Sequence, residues 1–306
     1  MSDPVLQAVG LTKKYASAVS TVTALDAASF EVRAGEAVAL LGPNGAGKTT
    51  AMQCCLGLLT LDGGEVKLFG KDPELLEVRQ RIGFSPDAPQ FPSRLTGLDV
   101  LELHGTLLGQ TRAQARKKAE ELAQRLGLAE AARRSCGGYS RGQGQRLGLA
   151  AALMGDPELL FLDEPTAGLD PSGVAAMRTL IADLKAKNVA VVLNSHLLSE
   201  VERVCDRALF IKSGRILRTH DMHNAARFAE IRVVNAAVVA ERVKRLAPEG
   251  VFDGNTLRVP IASEDVMPGL LKMVIEGGGE VLEARASGAE LERLYLEIVE
   301  PAKVAA

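Results

Sequence analysis

The residues with the clearest chemical meaning lie in one glycine-rich stretch, GPNGAGKTT, from Gly42 to Thr50. It follows the apolar run AVALL and precedes TTAMQCCLGLL, so we predict that it joins a strand to a helix. Gly42, Gly47, Lys48 and Thr49 match the spacing G-x-x-x-x-G-K-[ST]. Glycines let backbone N–H groups converge on phosphate oxygens, and the helix N-terminus adds a favourable dipole. We expect Lys48 to neutralise nucleotide phosphates and the Thr49 hydroxyl to bind Mg²⁺.

A second candidate site lies at the end of the run ELLFLDEP, whose apolar part is typical of a strand buried on both faces. A carboxylate at the end of such a strand can reach the Mg²⁺ shell, which suits Asp163. Glu164 follows it and could orient and deprotonate a water for attack on the γ-phosphate. The alternative, solvated acids at a strand end, loses weight beside a phosphate-binding stretch.

Composition restricts the class of protein. The chain has 306 residues, which favours about two domains, and its 47% hydrophobic and 24% charged residues are ordinary for a globular protein. A net charge of −2 gives no basic footprint for nucleic acid, so no nucleic-acid partner is expected. The first residues lack the apolar region of a signal peptide, and no window approaches the ~18 apolar residues of a membrane span. We expect neither secretion nor membrane insertion by this chain alone.

Four cysteines, Cys54, Cys55, Cys136 and Cys205, match no metal-binding spacing. Unpatterned thiols suit a reducing cytosol. We therefore interpret them as packing residues.

The elements that must position these residues alternate between strands and helices up to about residue 222. This order predicts an α/β domain over residues 1–222 with a mostly parallel sheet. Residues 98–126 are predicted to be helical in two pieces, split near Gly109. Beyond residue 222 the order becomes β-α-β-β-α-β-α, with a helix over AAVVAERVKRLA and a hairpin around Asp253–Asn255. Residues 223–306 are therefore predicted to be a small α+β, ferredoxin-like domain.

Over residues 1 to about 220, the chain resembles the ATP-binding cassette (ABC) ATPases. YSRGQGQR, residues 139–146, resembles the signature LSGGQ, AGLDP, residues 167–171, resembles the D-loop, and NSH, ending in His196, resembles the switch-histidine segment. The resemblance implies a P-loop NTPase fold with a mostly parallel sheet, an antiparallel β subdomain and a helical signature subdomain.

The resemblance also implies a mechanism in which two cassettes pair head to tail and ATP lies between one subunit's phosphate loop and the other's signature. Tyr15 would stack on adenine, Asp170 would line the seam, and His196 would hold the γ-phosphate. The residues implied to contact ATP are Tyr15, Gly42, Asn44, Gly45, Ala46, Gly47, Lys48, Thr49, Thr50, Ser140, Gly142, Gln143 and Asp170. Those implied for Mg²⁺ are Thr49, Asp163 and Asp87, and those for catalysis are Glu164, His196 and Lys48.

Two departures from the family pattern stand out. Arg141 replaces the first glycine of LSGGQ and Tyr139 replaces its leucine. Arg141 could add a positive group near the γ-phosphate or point to solvent. Asp87 takes the place of the Q-loop glutamine, and Gln90 comes three residues late. An acidic residue at this position can still bind Mg²⁺. An acid here resembles the pattern of exporter ATPases of the drug- and antibiotic-resistance type.

The segment LTG-x-x-x-L and the C-terminal region also resemble exporter ATPases that work with a separate membrane permease. The leading hypothesis is a cytoplasmic ATPase subunit, peripheral on the inner face of the membrane, whose permease contact spans Asp87 to Gly109. It would pair with a second ABC ATPase subunit. The C-terminal domain would stabilise or regulate that dimer, or serve as a packing extension.

Two other classes remain as alternatives. A soluble ABC ATPase acting on ribosomes or DNA would usually carry two cassettes, a coiled-coil insertion or zinc cysteines, and none occurs here. A non-hydrolysing regulator would be expected to lose Glu164 or His196, and both are present.

Overall fold

A computed structural model describes residues 3–16, 21–222, 227–236, 239, 249–261, 264–287 and 290–299. The chain forms two compact units, Met1–His220 and Asp221–Ala306. The first nine strands are β1 (Leu6–Ala16), β2 (Thr21–Val32), β3 (Ala37–Leu41), β4 (Gly63–Leu68), β5 (Ile82–Ser85), β6 (Leu159–Asp163), β7 (Ala190–Asn194), β8 (Arg207–Lys212) and β9 (Arg215–Asp221). The first seven helices are α1 (Lys48–Cys55), α2 (Leu76–Arg79), α3 (Gly97–Leu107), α4 (Arg112–Arg125), α5 (Arg141–Leu153), α6 (Pro171–Ala186) and α7 (Leu198–Val204).

The main sheet of the first unit has six strands in the order β5-β6-β7-β3-β8-β9. The pairs from β5 through to β8 are parallel, which confirms the predicted α/β architecture. Every residue of β3, β6 and β7 is buried, as expected for strands covered on both faces. Because parallel strands end at the same sheet edge, β3, β6 and β7 deliver their C-terminal residues to one place. In open α/β sheets, ligands bind outside that edge.

A smaller antiparallel sheet, in the order β2-β1-β4, completes this unit. Its buried leucines, among them Leu6, Leu11 and Leu25, share one core with Met52 of α1 and Phe161 of β6. The helix that follows the glycine-rich stretch, α1, therefore packs in one core with residues of both sheets.

Three helices, α3, α4 and α5, pack against one another, and all three begin with the same capping motif. Thr96, Thr111 and Ser140 each cap a helix and exchange hydrogen bonds with the residue three positions later, forming a capping box. The break between α3 and α4 contains Gly109 with φ 89°, which confirms the predicted split.

The second unit contains β10 (Arg227–Val233), β11 (Val251–Asp253), β12 (Thr256–Ile261), α8 (Met267–Glu276), β13 (Val281–Ser287) and α9 (Glu290–Val299). Its sheet has the order β11-β12-β10-β13 with antiparallel pairs throughout. In this sheet β12 lies between β10 and β11, which are the first two strands of the unit in chain order. The strand order therefore agrees with a split βαβ unit. Apart from Ala236 and Val239, the helix predicted over AAVVAERVKRLA lies outside the described residues. Among the described residues, no helix has the length and apolar character needed to cross a bilayer.

Candidate functional site: phosphate loop, acidic strand end and signature helix

The glycine-rich stretch connects β3 to α1, as predicted, and two of its glycines have no room for a side chain. A Cβ on Gly42 would lie 2.1 Å from the carbonyl oxygen of Ile211. One on Gly47, which has φ 107°, would lie 2.3 Å from the carbonyl oxygen of Ala24. Gly45, with φ 77°, has nothing within 4 Å of that position and so borders open space. The loop is thus tightly seated on one side and accessible to a ligand on the other.

Three further predicted phosphate-loop residues occupy different parts of this stretch. Asn44 is exposed, and Thr50 lies half-buried in the first turn of α1. Ala46 is buried, and its N–H donates to the carbonyl of Pro43 at 3.1 Å. The carbonyl of Ala46 accepts from the N–H of Gly214 at 2.9 Å, which anchors the loop to the β8–β9 turn.

The Lys48 ammonium lies inside the loop rather than in solvent. Its Nζ donates to the carbonyls of Gly42 at 2.8 Å and Pro43 at 3.1 Å. Burial lowers the pKa of Lys48, and the negative charges of Glu164 and Asp163 oppose this effect. The cation is therefore held between the loop and the acidic strand end, where a phosphate would replace neutral carbonyls as its partner.

Thr49 and Asp163, predicted to bind Mg²⁺, lie side by side. The Thr49 hydroxyl donates to Asp163 Oδ2 at 3.2 Å, and Asn194 Nδ2 donates to Asp163 Oδ1 at 2.9 Å. Asp163 is 7% exposed. A hydroxyl and a carboxylate suit a hard cation that takes its remaining oxygen ligands from phosphate and water, so the two side chains fit Mg²⁺.

Glu164 and His196 also meet. His196 Nδ1 lies 2.9 Å from Glu164 Oε1; the His196 side chain is 68% exposed and that of Glu164 17%. Glu164 adopts a left-handed backbone, φ 48°, and its N–H donates to the carbonyl of Asn194 at 3.0 Å. Residues held in this conformation cluster at functional sites. The carboxylate is suited to act as a general base, with the imidazole fixing its orientation.

The signature residues form the N-terminus of α5. The Ser140 hydroxyl accepts from the N–H of Gln143 at 3.2 Å, and the Gln143 side chain accepts from the N–H of Ser140 at 3.1 Å. A Cβ on Gly142 would lie 2.8 Å from the carbonyl oxygen of Gly168, in the D-loop segment. The start of a 13-residue helix is a favourable place for an anion.

Asp170 caps α6 and connects it to α5. Its Oδ1 accepts from the N–H of Gly173 at 3.1 Å and from Arg146 Nη2 at 2.8 Å. The Ser172 hydroxyl donates to Oδ2 at 2.6 Å and is the main cause of the lowered pKa of Asp170. Within a single chain, Asp170 thus links the D-loop to the signature helix.

The two departures from the family pattern contact each other. Arg141 Nη2 donates to Asp87 Oδ1 at 3.1 Å. The methylene groups of Arg141 lie over Gly168, where a Cβ would be 3.0 Å from Cγ and Cδ. The guanidinium therefore pairs with Asp87, and the Arg141 side chain is 61% exposed.

Tyr139, the other signature replacement, reaches away from α5. Its hydroxyl donates to the carbonyl of Ala131 at 2.8 Å. A Cβ on Gly97 would lie 2.4 Å from that hydroxyl oxygen, so the tyrosine passes over the start of α3.

Tyr15, predicted to stack on adenine, lies near the end of β1. Tyr15 is 44% exposed, and Lys13 Nζ lies 5.7 Å from the centroid of its ring. An exposed aromatic face of this kind is available to a base.

Two residues at the site were not singled out from the sequence. Asn194 is 1% exposed and orients Asp163 from the neighbouring strand. Gln145 is also 1% exposed, and its Nε2 lies 3.5 Å from the carbonyl oxygen of Pro86 and 3.4 Å from that of Glu164. The polar pair Asn194–Ser195 directly after an apolar run could have indicated Asn194. The role of Gln145 depends on how α5 packs, which its sequence position does not indicate.

Residues 25–167 match the family described as ABC transporter. An uncharacterized ABC transporter ATP-binding protein of Nostoc is 41% identical over 64% of this chain and 59% of its own length, so this match spans less than two thirds of that relative. The bacitracin transport ATP-binding protein BcrA of Bacillus licheniformis is 32% identical over 96% of this chain and 97% of its own length.

A fluoroquinolones export ATP-binding protein of Mycobacterium tuberculosis is 38% identical over 70% of this chain and 69% of its own length. Among solved structures, an ATP-binding cassette in a dimeric, post-hydrolysis state with ADP and Pi is similar. Its TM-score is 0.67 at 26% identity, over 71% of this chain and 98% of that cassette.

Proposed function

Because the chain belongs to the ABC transporter family of ATP-binding subunits and is an ATPase of that family, we propose that it powers export through a separate transmembrane permease. The observation that carries this proposal is the alignment with the bacitracin transport protein. It covers 96% of this chain and therefore extends through the second unit as well as the cassette. The similarity to a fluoroquinolones export protein supports export as the direction of transport.

The site supports hydrolysis by positioning and by charge. The loop N–H groups and Lys48 bind the phosphates, and Glu164 accepts the proton of the attacking water. His196, fixed against Glu164, presents its second nitrogen for the γ-phosphate. Thr49 and Asp163 would hold Mg²⁺, which would supply positive charge beside the phosphate oxygens.

The signature would complete the site of a second subunit. The chain carries one phosphate loop and one signature, so a pair of chains is needed to place ATP between them. The capped N-terminus of α5 offers Ser140 and Gly142 to the γ-phosphate of the partner's nucleotide. A homodimer is the simplest such pair, and the similar cassette that was solved as a dimer supports it.

The permease would dock on the segment from Asp87 to Gly109. On α3, Leu103 is 48% exposed and Leu107 77% exposed, so this segment offers apolar surface to a partner. Such docking would hold the subunit on the cytoplasmic face of the membrane. Cargo would be selected by the permease, a separate chain.

The test is an affinity purification of tagged Glu164→Gln from its own host, in mild detergent with ATP and Mg²⁺. We expect a polytopic membrane protein to be recovered and identified by mass spectrometry. The matched variant adds Leu107→Glu and should lose that protein while keeping ATP binding. Recovery of ribosomal or DNA-bound proteins in place of a membrane protein would overturn the export proposal and leave the ATPase assignment intact.

A further inference from the structure

One face of α5 lies along the segment that follows β5. Gln145 Nε2 approaches the carbonyl of Pro86, and a Cβ on Gly148 would lie 2.8 Å from the Pro89 ring and 3.2 Å from the Ser85 hydroxyl. With Arg141, these residues have the spacing i, i+4, i+7, so they share one helix face. Each of the three meets part of the segment 85–89.

The contacts differ along this face. Gly148 and Gln145 are packed in the interior, and Gln145 is 1% exposed. Arg141 lies at the end of the face that carries the signature, and its contact is the ion pair with Asp87. The side chains of Arg141 and Asp87 are 61% and 47% exposed. The ion pair thus fixes the outer end of a face whose middle is already held by packing.

A second set of contacts ties the approach to α5 to the same region. The N–H of Cys136 donates to the carbonyl of Leu95 at 2.8 Å, and that of Gly137 donates to the carbonyl of Ser93 at 3.1 Å. The signature is therefore bound to the segment 85–97 both before and after Ser140.

We infer that Asp87 and Arg141 are a matched pair of positioning residues that set the N-terminus of α5 relative to the segment 85–97. In this arrangement Asp87 is a partner for Arg141 instead of a magnesium ligand, and Arg141 acts through the helix it belongs to. The inference rests on the proposed dimer, because α5 would act on the partner's nucleotide. It places the signature and the proposed permease contact on one connected segment.

A positioning role and a structural role predict different effects on the melting temperature and on kcat. An exposed ion pair contributes little to folding stability, so the melting temperature should barely change when the pair is removed. Catalysis is more sensitive, since small displacements of positioned groups cost up to about a hundredfold in rate. Loss of a positioning pair should thus lower kcat with little change in Tm, in KM for ATP or in the Mg²⁺ requirement.

The experiment is a double-mutant cycle on the full-length purified chain, with ATPase rate, KM, half-saturating Mg²⁺ and Tm measured for each protein. The variants are Asp87→Ala, Arg141→Ala, both together, and the exchange Asp87→Arg with Arg141→Asp. We expect each single variant to lower kcat about tenfold. The double alanine variant should be no worse than either single one, and the exchange should recover part of the rate.

The matched control is the ion pair between Arg125 of α4 and Asp183 of α6, at 2.7 Å, with side chains 39% and 52% exposed. Replacing either of these residues by alanine should leave kcat unchanged. A fall equal to that of the Asp87 variants would mean that any surface pair has this effect, and would overturn the inference.

Other outcomes are equally decisive. If Asp87→Ala raises half-saturating Mg²⁺ whatever residue is at 141, Asp87 is a metal ligand. If Arg141→Ala raises KM whatever residue is at 87, Arg141 binds phosphate. Additive effects, no effects, or an exchange variant no better than double alanine also overturn the inference. Failure of the dimer itself would be seen separately, as Glu164→Gln remaining monomeric with ATP by light scattering.

Discussion

His196 Nδ1 lies 2.9 Å from Glu164 Oε1, although the two residues follow different strands of the main sheet. Nδ1 is the ring nitrogen that lies against the carboxylate, and Nε2 remains for another partner. The main chain at Glu164 is also fixed, because its backbone N–H donates to the carbonyl of Asn194. The general base is thus oriented before any nucleotide arrives.

Glu164→Gln should therefore keep ATP binding and lose hydrolysis. Glutamine retains the size of the side chain but accepts no proton, and loss of a general base commonly costs about 10² to 10⁴ in rate. Single-turnover hydrolysis and equilibrium ATP binding are the measurements. His196→Ala serves as the comparison, because it removes the orienting group while leaving the base, and should cost less. A Glu164→Gln protein that hydrolyses ATP at the normal rate would remove Glu164 from the mechanism.

Asn194→Leu should raise the Mg²⁺ concentration that the ATPase needs for half-saturation. Asn194 is buried, and its amide is a donor to Asp163 Oδ1 at 2.9 Å. Leucine has a similar volume but leaves that oxygen without this donor, which costs about 1–3 kcal/mol of unfolding free energy. We expect half-saturating Mg²⁺ in the ATPase assay to rise and urea denaturation to shift to lower concentration.

The control for Asn194 is Val192→Ala on the same strand, a buried change that makes a cavity without touching Asp163. It should reduce stability by about 1 kcal/mol or more without altering the Mg²⁺ requirement. If both variants shift the requirement equally, the effect comes from stability alone and Asn194 has no orienting role.

Replacing Gln145 by a charged residue should reduce stability and kcat more than replacing it by an apolar one. Its Nε2 approaches the carbonyls of Pro86 and Glu164 at 3.5 and 3.4 Å, distances at the long end for a hydrogen bond. Gln145→Leu should thus lose about 0.5–1.5 kcal/mol of stability. Gln145→Glu would place a buried carboxylate beside two carbonyl oxygens and should lose more, with a larger fall in kcat. Thermal unfolding and ATPase rates of both variants test this order, and the reverse order would contradict it.

The sequence predicts what depends on local spacing. The phosphate loop, the acidic strand end and the split between α3 and α4 each follow from a few consecutive residues, and the structure has the loop and helices where they were expected. Asn194 and Gln145 depend instead on which strands become neighbours and which face of α5 is turned inward. The contact between Asp87 and Arg141 joins residues more than fifty positions apart, so two separate departures became one feature only in the folded chain.

Nucleotide binding should take up protons at alkaline pH. Burial lowers the pKa of Lys48 below its ordinary value of about 10.4, and bound phosphates would raise it again by favouring the ammonium. The affinity contributed by Lys48 is fully present below the pKa of the free state, and is lost as the pH rises from that pKa through the higher pKa of the bound state. Calorimetry of ADP binding near pH 9, in two buffers of different ionisation enthalpy, measures the uptake.

Glu164→Gln gives the matched comparison for this measurement. The negative charge of Glu164 is the first cause that opposes the lowered pKa of Lys48, so its removal should lower that pKa further. Proton uptake should then be larger than in the unaltered protein at the same pH. Equal uptake by both proteins would mean that Lys48 is not the group that titrates.

A single thiol should react with maleimide, and it lies beside the signature. Burial raises the pKa of Cys54 to about 11 and also raises the pKa values of Cys55 and Cys205, so at pH 8 about 0.1% or less of these thiols is ionised. Burial also raises the pKa of Cys136, but Cys136 is half-buried whereas the other three cysteines are buried, so accessibility favours its reaction. We expect mass spectrometry to find the label on Cys136, and labelling of a buried cysteine first would contradict the packing described above.

Labelling of Cys136 also reports on the proposed dimer, because this residue comes four positions before Ser140 at the start of α5. If ATP brings the signature against a second subunit, Glu164→Gln with ATP and Mg²⁺ should be labelled more slowly than without nucleotide. Adding Ser140→Arg should abolish this protection, since a long side chain at the helix cap would block close approach of the two subunits. Protection that persists in Ser140→Arg would mean that ATP shields Cys136 within one chain, and no protection in either protein would argue against a nucleotide sandwiched at the signature.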